Sequence, residues 1–298
     1  MKNYRGIIAV FIAGILWGII GLFIKPLNDI GFTQYEIIFT RALLTALIVL
    51  PIAKIKEKTI KINLKDLWIF IGMGCISFVL FNICYLNCIA QTGMGIAAVL
   101  LYTAPAFVML FSAILFKEKI TKQKILALAL ALLGCVFITG LIDNGIQNVS
   151  IPSILFGLGA GLGYSLYSIF GRYAIDRVSS LTATGWAFAF ASIASGFLID
   201  FKHFASILLQ SGTSIVLLLG CALCCNVLTY ILYTYGLTQM ESSKASIIAC
   251  IEPVVAFIAG AVVYHESVTI TKIIGMLLVV SAVLLLNFAE KNMKKPKL

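Results

Sequence analysis

The chain has 298 residues, 61% of them hydrophobic and 11% charged, with a mean hydropathy of +1.07, whereas soluble domains hold about 45–50% apolar and about 25% charged residues. That composition excludes a soluble enzyme and identifies an integral membrane protein. The net charge of +10 therefore reads as loop lysines and arginines that set orientation, not as a nucleic-acid surface. All eight cysteines lie inside apolar runs, including the group Cys221, Cys224 and Cys225; they are expected to pack between helices, with no metal or other cofactor bound.

A helix that crosses a bilayer needs about 20 mostly apolar residues. Ten such runs follow one another, at 6–25, 34–53, 67–90, 94–116, 124–141, 152–172, 182–201, 214–237, 244–264 and 271–289. The fold class is therefore all-α, a polytopic membrane protein of ten transmembrane helices. The first run follows Lys2 and Arg5 but is too long for the apolar core of a signal peptide and lacks a small-residue cleavage site, so it is expected to stay as a helix. It carries Trp17 and the pair Gly14 and Gly18. The sixth carries Gly157 with Gly161 and Gly159 with Gly163, small residues four apart that let membrane helices approach closely.

Polar groups gather on particular faces. Arg41 lies seven residues into the second span, with Glu36 nearer the outer end. An arginine keeps its charge, so in lipid it needs a carboxylate, carbonyls, water or a substrate anion. Asn82 and Tyr85 share a face of the third span, and Tyr102 precedes Pro105 in the fourth. Tyr164, Tyr167 and Ser168 line one face of the sixth span, and Asn226, Tyr230 and Tyr233 one face of the eighth. Amides and phenols at mid-membrane need partners. Together with Trp17 they predict either a central pathway of mixed aromatic and amide character or hydrogen bonds between helices.

The second half repeats the first. Most clearly, Gln91 to Ile125 returns without a gap between Gln239 and Ile273, 148 positions on: Pro105 meets Pro253, Glu118 meets Glu266, Thr121 meets Thr269 and Lys124 meets Lys272. The first five-helix repeat is placed at 1–142, the second at 150–290 and a basic tail at 291–298. With both termini inside, 18 of the 22 basic residues fall on the inner side, three (Lys25, Lys202 and Lys272) fall outside, and Arg41 remains within a span. Five spans per half is an odd number, so the two repeats must be inverted, as in secondary transporters. The paired threonines are candidates to cap the helices that follow them.

Pro105 and Pro253 sit near the middle of the fourth and ninth spans and are expected to kink them, since proline lacks an amide donor and disrupts the preceding turn. A symmetric pair of kinks reads as a gate or as packing. Glu252, just before Pro253, lies about 13 Å deep at ~1.5 Å per residue. Its repeat mate is Ala104, so the charge belongs to one half only. An ionisable group at that depth faces a cavity, a partner or a proton path, which makes Glu252 the candidate for proton coupling.

These features resemble the drug/metabolite transporter superfamily, specifically bacterial proteins with two EamA-type domains, over nearly the whole chain. The resemblance rests on the ten-span layout, on "AGILWGIIGLFIK" from Ala13 to Lys25, on the arginine of "FTRALL" at Arg41, and on "TAPAFVMLFSAILFKEKIT" from Thr103 to Thr121. The repeated "IEPVVAFIAGAVVYHESVT" from Ile251 to Thr269 is similar to the family's second-domain signature. In this chain Lys117 and His265 replace the glycine that the family has before each corner glutamate. The resemblance implies a multi-pass transporter of the bacterial inner membrane with a central cavity between its two bundles, often exporting amino acids or other small metabolites. No G-x-x-x-x-G-K-[ST] loop occurs, which argues against direct drive by ATP. The expected function is a secondary transporter that exports a small molecule by alternating access, with protons as the candidate coupling ion. A membrane-embedded enzyme or a non-transporting receptor is the alternative, and the sequence leaves the oligomeric state open.

Overall fold

A computed structural model describes residues 2–144, 149–208 and 212–293. The described residues form helices and connecting turns, with no strand among them. Seven helices are long and apolar enough to cross a membrane: Tyr4–Ile30, Gln34–Glu57, Leu64–Thr92, Met94–Leu115, Ile151–Ile175, Gly212–Leu237 and Ser242–Tyr264. The seventh span in chain order is Ser180–Gly196, followed across a bend by the short helix Phe201–Leu208, and Lys122–Ile138 and Ile270–Met293 complete the ten expected spans. Large aliphatic side chains such as Ile8, Leu47, Ile114, Leu155, Val216 and Val262 point outward, the apolar exterior that a bilayer requires. From residue 294 on, the basic tail expected over 291–298 lies outside the described residues.

The two halves interlock by exchange. The first span packs on the eighth and ninth, while the sixth packs on the third and fourth; the second pairs with the seventh and the fifth with the tenth. The fifth and tenth run antiparallel, because Gly134 abuts Val279 while Ile138 abuts Gly275. A Cβ on Gly134 would come within 2.7 Å of the Gly275 carbonyl oxygen, so the backbones touch. Ala127 and Ala282, the repeat mates of Gly275 and Gly134, are both fully buried. With no hydrophobic drive between helices in lipid, this close packing carries the association.

Helix starts follow the side chains present. Thr33 caps the second span by accepting from the Glu36 amide at 3.3 Å, and the Glu36 carboxylate accepts from the Thr33 amide at 2.8 Å. Thr121 and Thr269 accept from the amides of Lys124 and Lys272 at 3.2 and 3.3 Å, so both capping expectations hold. The seventh span is shorter than expected. It ends at Gly196, and the chain turns by 108° into Phe201–Leu208. Rings of Phe201 and Phe204 pack against Phe39 and Phe32, which seals that end of the bundle over Leu27 and Ile37.

Both polar corners adopt the same geometry. The amide of Glu118 donates to the Ser112 carbonyl at 3.1 Å, and that of Glu266 donates to the Gly260 carbonyl at 3.2 Å. Lys124 Nζ bonds the Lys119 carbonyl and Lys272 Nζ the Ser267 carbonyl, both at 3.0 Å. The second corner also bonds Asp143, whose carboxyl the hydroxyls of Thr271 and Thr269 hold below the usual carboxylate range. Lys117 and His265 take φ of 56° and 52°, the left-handed region that disfavours a side chain. Replacing either by glycine removes that penalty. His265→Gly is expected to stabilise the detergent-solubilised protein by about 1 kcal/mol, read as a raised midpoint of thermal unfolding; a lowered midpoint would contradict the corner geometry.

Candidate functional site

The fourth and ninth spans are interrupted by two residues just before each proline, the kinks expected there. The fourth runs as Met94–Leu101 and Ala104–Leu115, the ninth as Ser242–Ala249 and Glu252–Tyr264. Each proline stands second in its outgoing segment, where its missing amide costs least. The breaks match bond for bond. Thr103 N donates to Leu100 O and Ala106 N to Thr103 O, as Ile251 N donates to Ile248 O and Val254 N to Ile251 O.

Gly14 and Gly161 bring the first and sixth spans against these breaks. A Cβ on Gly14 would clash with Ile251 and approach Ala249, whereas one on Gly161 would clash with Thr103 and approach Leu101. Those neighbours are repeat mates, so Gly14 and Gly161 are equivalent positions. Three residues further along each helix, Trp17 is then the mate of Tyr164, and their rings meet at 5.8 Å.

The third and eighth spans carry wider π-helical turns at repeat-related places, Gly72–Leu80 and Leu223–Leu228. The Ser77 hydroxyl donates to the carbonyl five residues back at 3.0 Å, and the Thr229 hydroxyl does so at 2.6 Å. Such turns re-aim the side chains after them and recur at functional sites. Gly74, within the first one, lets the seventh span pack closely against it, since a Cβ there would lie 2.2 Å from the Ala187 carbonyl oxygen.

Between these four helices lies a cavity lined by Trp17, Ser77, Tyr164, Tyr167, Ser168, Tyr230 and Tyr233. Trp17 meets the rings of Tyr230 and Tyr233 at 5.2 Å, and Tyr167 meets Tyr230 at 4.8 Å. The phenols have partners: Ser168 Oγ with Tyr233 Oη at 2.7 Å, and Tyr167 Oη with Thr234 Oγ1 at 3.2 Å. Tyr164 Oη donates to Glu252 Oε2 at 3.4 Å, and Tyr102 lies beside the same carboxylate. Glu252 thus opens the outgoing segment of the ninth span, next to the cavity wall.

Arg41 is buried and pairs with neither Glu36 nor Glu252. Glu36 is engaged by Thr33 and by His203 Nδ1 at 2.8 Å, and Glu252 by Tyr164. Instead Nε and a terminal nitrogen of Arg41 donate to Asn226 Oδ1 at 3.0 and 2.6 Å, and the guanidinium carbon lies 5.6 Å from the Phe78 ring centre.

Five of the expected pathway residues, Trp17, Tyr164, Tyr167, Tyr230 and Tyr233, therefore meet in one cavity. Arg41 and Asn226 pair behind it, and Tyr102 and Glu252 meet at its edge. Asn82 and Tyr85 are not among the lining residues: Asn82 donates to the Phe78 carbonyl of its own helix at 2.6 Å, and Tyr85 stacks on Phe81. Ser77, Phe78, Thr234 and Thr184, whose hydroxyl donates to Thr234 Oγ1 at 3.3 Å, are not evident from the sequence, because small hydroxyls and one phenylalanine in apolar runs give no signal there.

One end of the molecule is clasped. The Glu118 carboxylate accepts from the amides of Ser242 and Ser243 at 2.8 and 3.2 Å and from the Ser243 hydroxyl, capping the ninth span from the opposite half. Lys124 adds an ion pair to Glu241 at 2.6 Å. The mate of Glu118 behaves differently: the Glu266 carboxylate lies over Gly260 in its own corner, and no hydrogen bond joins it to the fourth span among the described residues.

Residues 4–140 and 151–288 each match the EamA-like transporter family. The chain belongs to the EamA-like transporter family. This EamA-like transporter is 25% identical over 281 residues to an uncharacterized transporter of Archaeoglobus fulgidus, covering 93% of this chain and 94% of that one. It is 22% identical over 300 residues to the uncharacterized inner membrane transporter YicL of Salmonella typhimurium, covering 97% of each. A solved crystal structure shares its fold with a TM-score of 0.79 at 15% identity, covering 98% of this chain and 100% of that chain.

The close approach at Gly74 can be tested as a backbone contact between the third and seventh spans. Gly74→Ala is expected to destabilise the EamA-like transporter by about 1–3 kcal/mol through overpacking against backbone. Gly21→Ala, where no atom lies within 4 Å, should be near neutral. Equal thermal midpoints for the two variants would remove the constraint.

Proposed function

We propose that this EamA-like transporter is a secondary transporter that exports a small metabolite such as an amino acid across a bacterial cytoplasmic membrane. It works by alternating access, with both termini cytoplasmic and protons as the coupling ion. The observation that carries the reading is the unequal state of two equivalent gates. Glu118 clasps the amides of Ser242 and Ser243; the positions 148 residues earlier are Met94 and Gly95, which Glu266 does not hold. Inverted repeats that exchange conformations open a central site to alternate sides. In the exchanged state Glu118 releases the ninth span and Glu266 caps the fourth at Met94 and Gly95.

Charge placement supports the orientation. Lys117, Lys119, Lys122 and Lys124 surround the Glu118 corner, and only His265 and Lys272 flank the Glu266 corner, so the clasped end is the cytoplasmic one. The cavity of Trp17, Tyr164, Tyr167, Tyr230 and Tyr233 forms the substrate pathway. Pro105 and Pro253 permit the breaks at which its gates bend. Glu252, at the break in the ninth span, takes up the coupling proton from the cavity and returns it there, while the Tyr164 hydroxyl donates to its carboxylate.

Two measurements test this. In proteoliposomes, counterflow of radiolabelled amino acids should respond to a pH gradient, and Glu252→Gln should abolish that response while leaving exchange in place; an unaltered response would sink the coupling role. Glu118→Ala should speed alkylation of the buried Cys250 by a water-soluble maleimide several-fold, read by mass spectrometry at that residue. An unchanged rate would remove the clasp from the gating scheme.

A further inference from the structure

Arg41 retains its charge in any environment, yet it is only 6% exposed and makes no salt bridge among the described residues. A buried cation without a carboxylate is costly, and removing the mate from a buried pair leaves the same cost behind. Among the described residues its one side-chain hydrogen-bonding partner is a neutral amide. Asn226 Oδ1 sits between two donors of the guanidinium fork, at 3.0 and 2.6 Å. A carboxylate would set two oxygens there and bind more strongly. Asn226 is held in that pose by its own amide nitrogen, which donates to Thr45 Oγ1 at 3.3 Å and the Arg41 carbonyl at 3.4 Å.

The repeat shows that the fold has no need of this pair. The helix caps Thr33 and Ser179 align the second and seventh spans, which places Ala187 opposite Arg41, and Phe78 is the mate of Asn226. The mirror contact is made of Gly74 against Ala187 and of Phe78 against Phe188 at 4.9 Å, without a charge. The guanidinium lies one side-chain layer behind the cavity wall: it stands over Phe78, whose neighbour Ser77 lines the cavity and whose ring meets the lining residue Tyr230 at 6.1 Å. Asn226 sits within a π turn. Relaxing that turn toward an α-helix rotates the amide off the guanidinium and leaves the fork free.

We propose that Arg41 is an anion subsite of the transport pathway, kept loaded by Asn226 when empty, and that the transported molecule carries a carboxylate. The inference rests on the transport reading above and adds a charge requirement to it. Asn226→Asp is the decisive variant, because it supplies a permanent carboxylate of the same shape.

Purified protein in lipid nanodiscs is titrated with benzoate, benzyl alcohol and benzylamine, probes of matched size for an aromatic cavity, and read by thermal midpoint and tryptophan fluorescence. Benzoate is expected to bind wild type in preference to the other two. Its affinity should fall about tenfold or more in Arg41→Gln and in Asn226→Asp, with the Asn226→Asp protein melting at or above the wild-type temperature. Benzoate binding to Asn226→Asp as well as to wild type, equal binding of benzyl alcohol, or no binding of benzoate overturns the subsite. Flux of an uncharged solute in vesicles alongside any of those results leaves the transport reading standing. The absence of all flux in wild type overturns that reading separately.

Discussion

A helix broken in the middle of a bilayer frees carbonyls that hydrocarbon cannot satisfy, and the arrangement of this protein follows from covering two such breaks. At Leu100–Thr103 and Ile248–Ile251 the chain tightens to bonds three residues apart, and the Thr103 hydroxyl takes up the Leu100 carbonyl at 2.6 Å. The remaining exposed backbone is covered by a helix from the other half, close enough that only glycine fits at Gly14 and Gly161. That requirement explains why the halves are exchanged, each first helix packing on the other half's broken one. It also explains where the cavity lies. The two covering helices meet across the pseudo-dyad through Trp17 and Tyr164, and their rings hold the third and eighth spans apart.

The architecture was legible in the sequence because its signals are long and redundant. Ten apolar runs, one unbroken repeat and an uneven distribution of lysine fix the number of spans and their inversion. Each expected run has its helix. The seventh, expected over 182–201, is too long because Phe197, Leu198, Ile199 and Phe201 continue an apolar pattern past Gly196, although Phe201 belongs to a separate helix folded over the end of the bundle. The site was legible only in part. Tyrosines and tryptophan too deep to be belt residues led to the cavity, but the widened turns of the third and eighth spans leave no mark in composition. Asn82, a strong polar signal, turned out to satisfy itself on its own helix. A mid-membrane amide needs a partner and does not announce which one.

Symmetry and its violations do different work here. Where the halves agree, at the paired breaks, the left-handed corners of Lys117 and His265 and the lysine caps, they describe the framework. Where they disagree, a charge stands opposite alanine: Arg41 opposite Ala187, and Glu252 opposite Ala104. A bilayer penalises each by about 2.5–3.5 kcal/mol for an arginine or acid at the centre of a span, so neither is neutral decoration. The unoccupied halves of both pairs fold without them.

Polar bonds join the two halves at the ends of the bundle, where Glu57 meets Ser179 and Thr182, Asp66 meets Arg177 and Glu36 meets His203, and also deeper in it. Arg41 with Asn226 and Glu118 with Ser242 and Ser243 each cross from one repeat to the other, while Glu252 is held by Tyr164 within the second. Around them the halves touch through aromatic rings and small residues, contacts whose energy changes little as one surface slides over another. Two states of such a molecule differ chiefly by which cross-bonds are made. A solute can shift the balance between them only by its differential interaction with those bonds. At the proposed subsite, a carboxylate that takes the place of Asn226 on Arg41 breaks the tie between the second and eighth spans as it binds. On that proposal, recognition of the anion and loosening of the contact between the second and eighth spans are a single event.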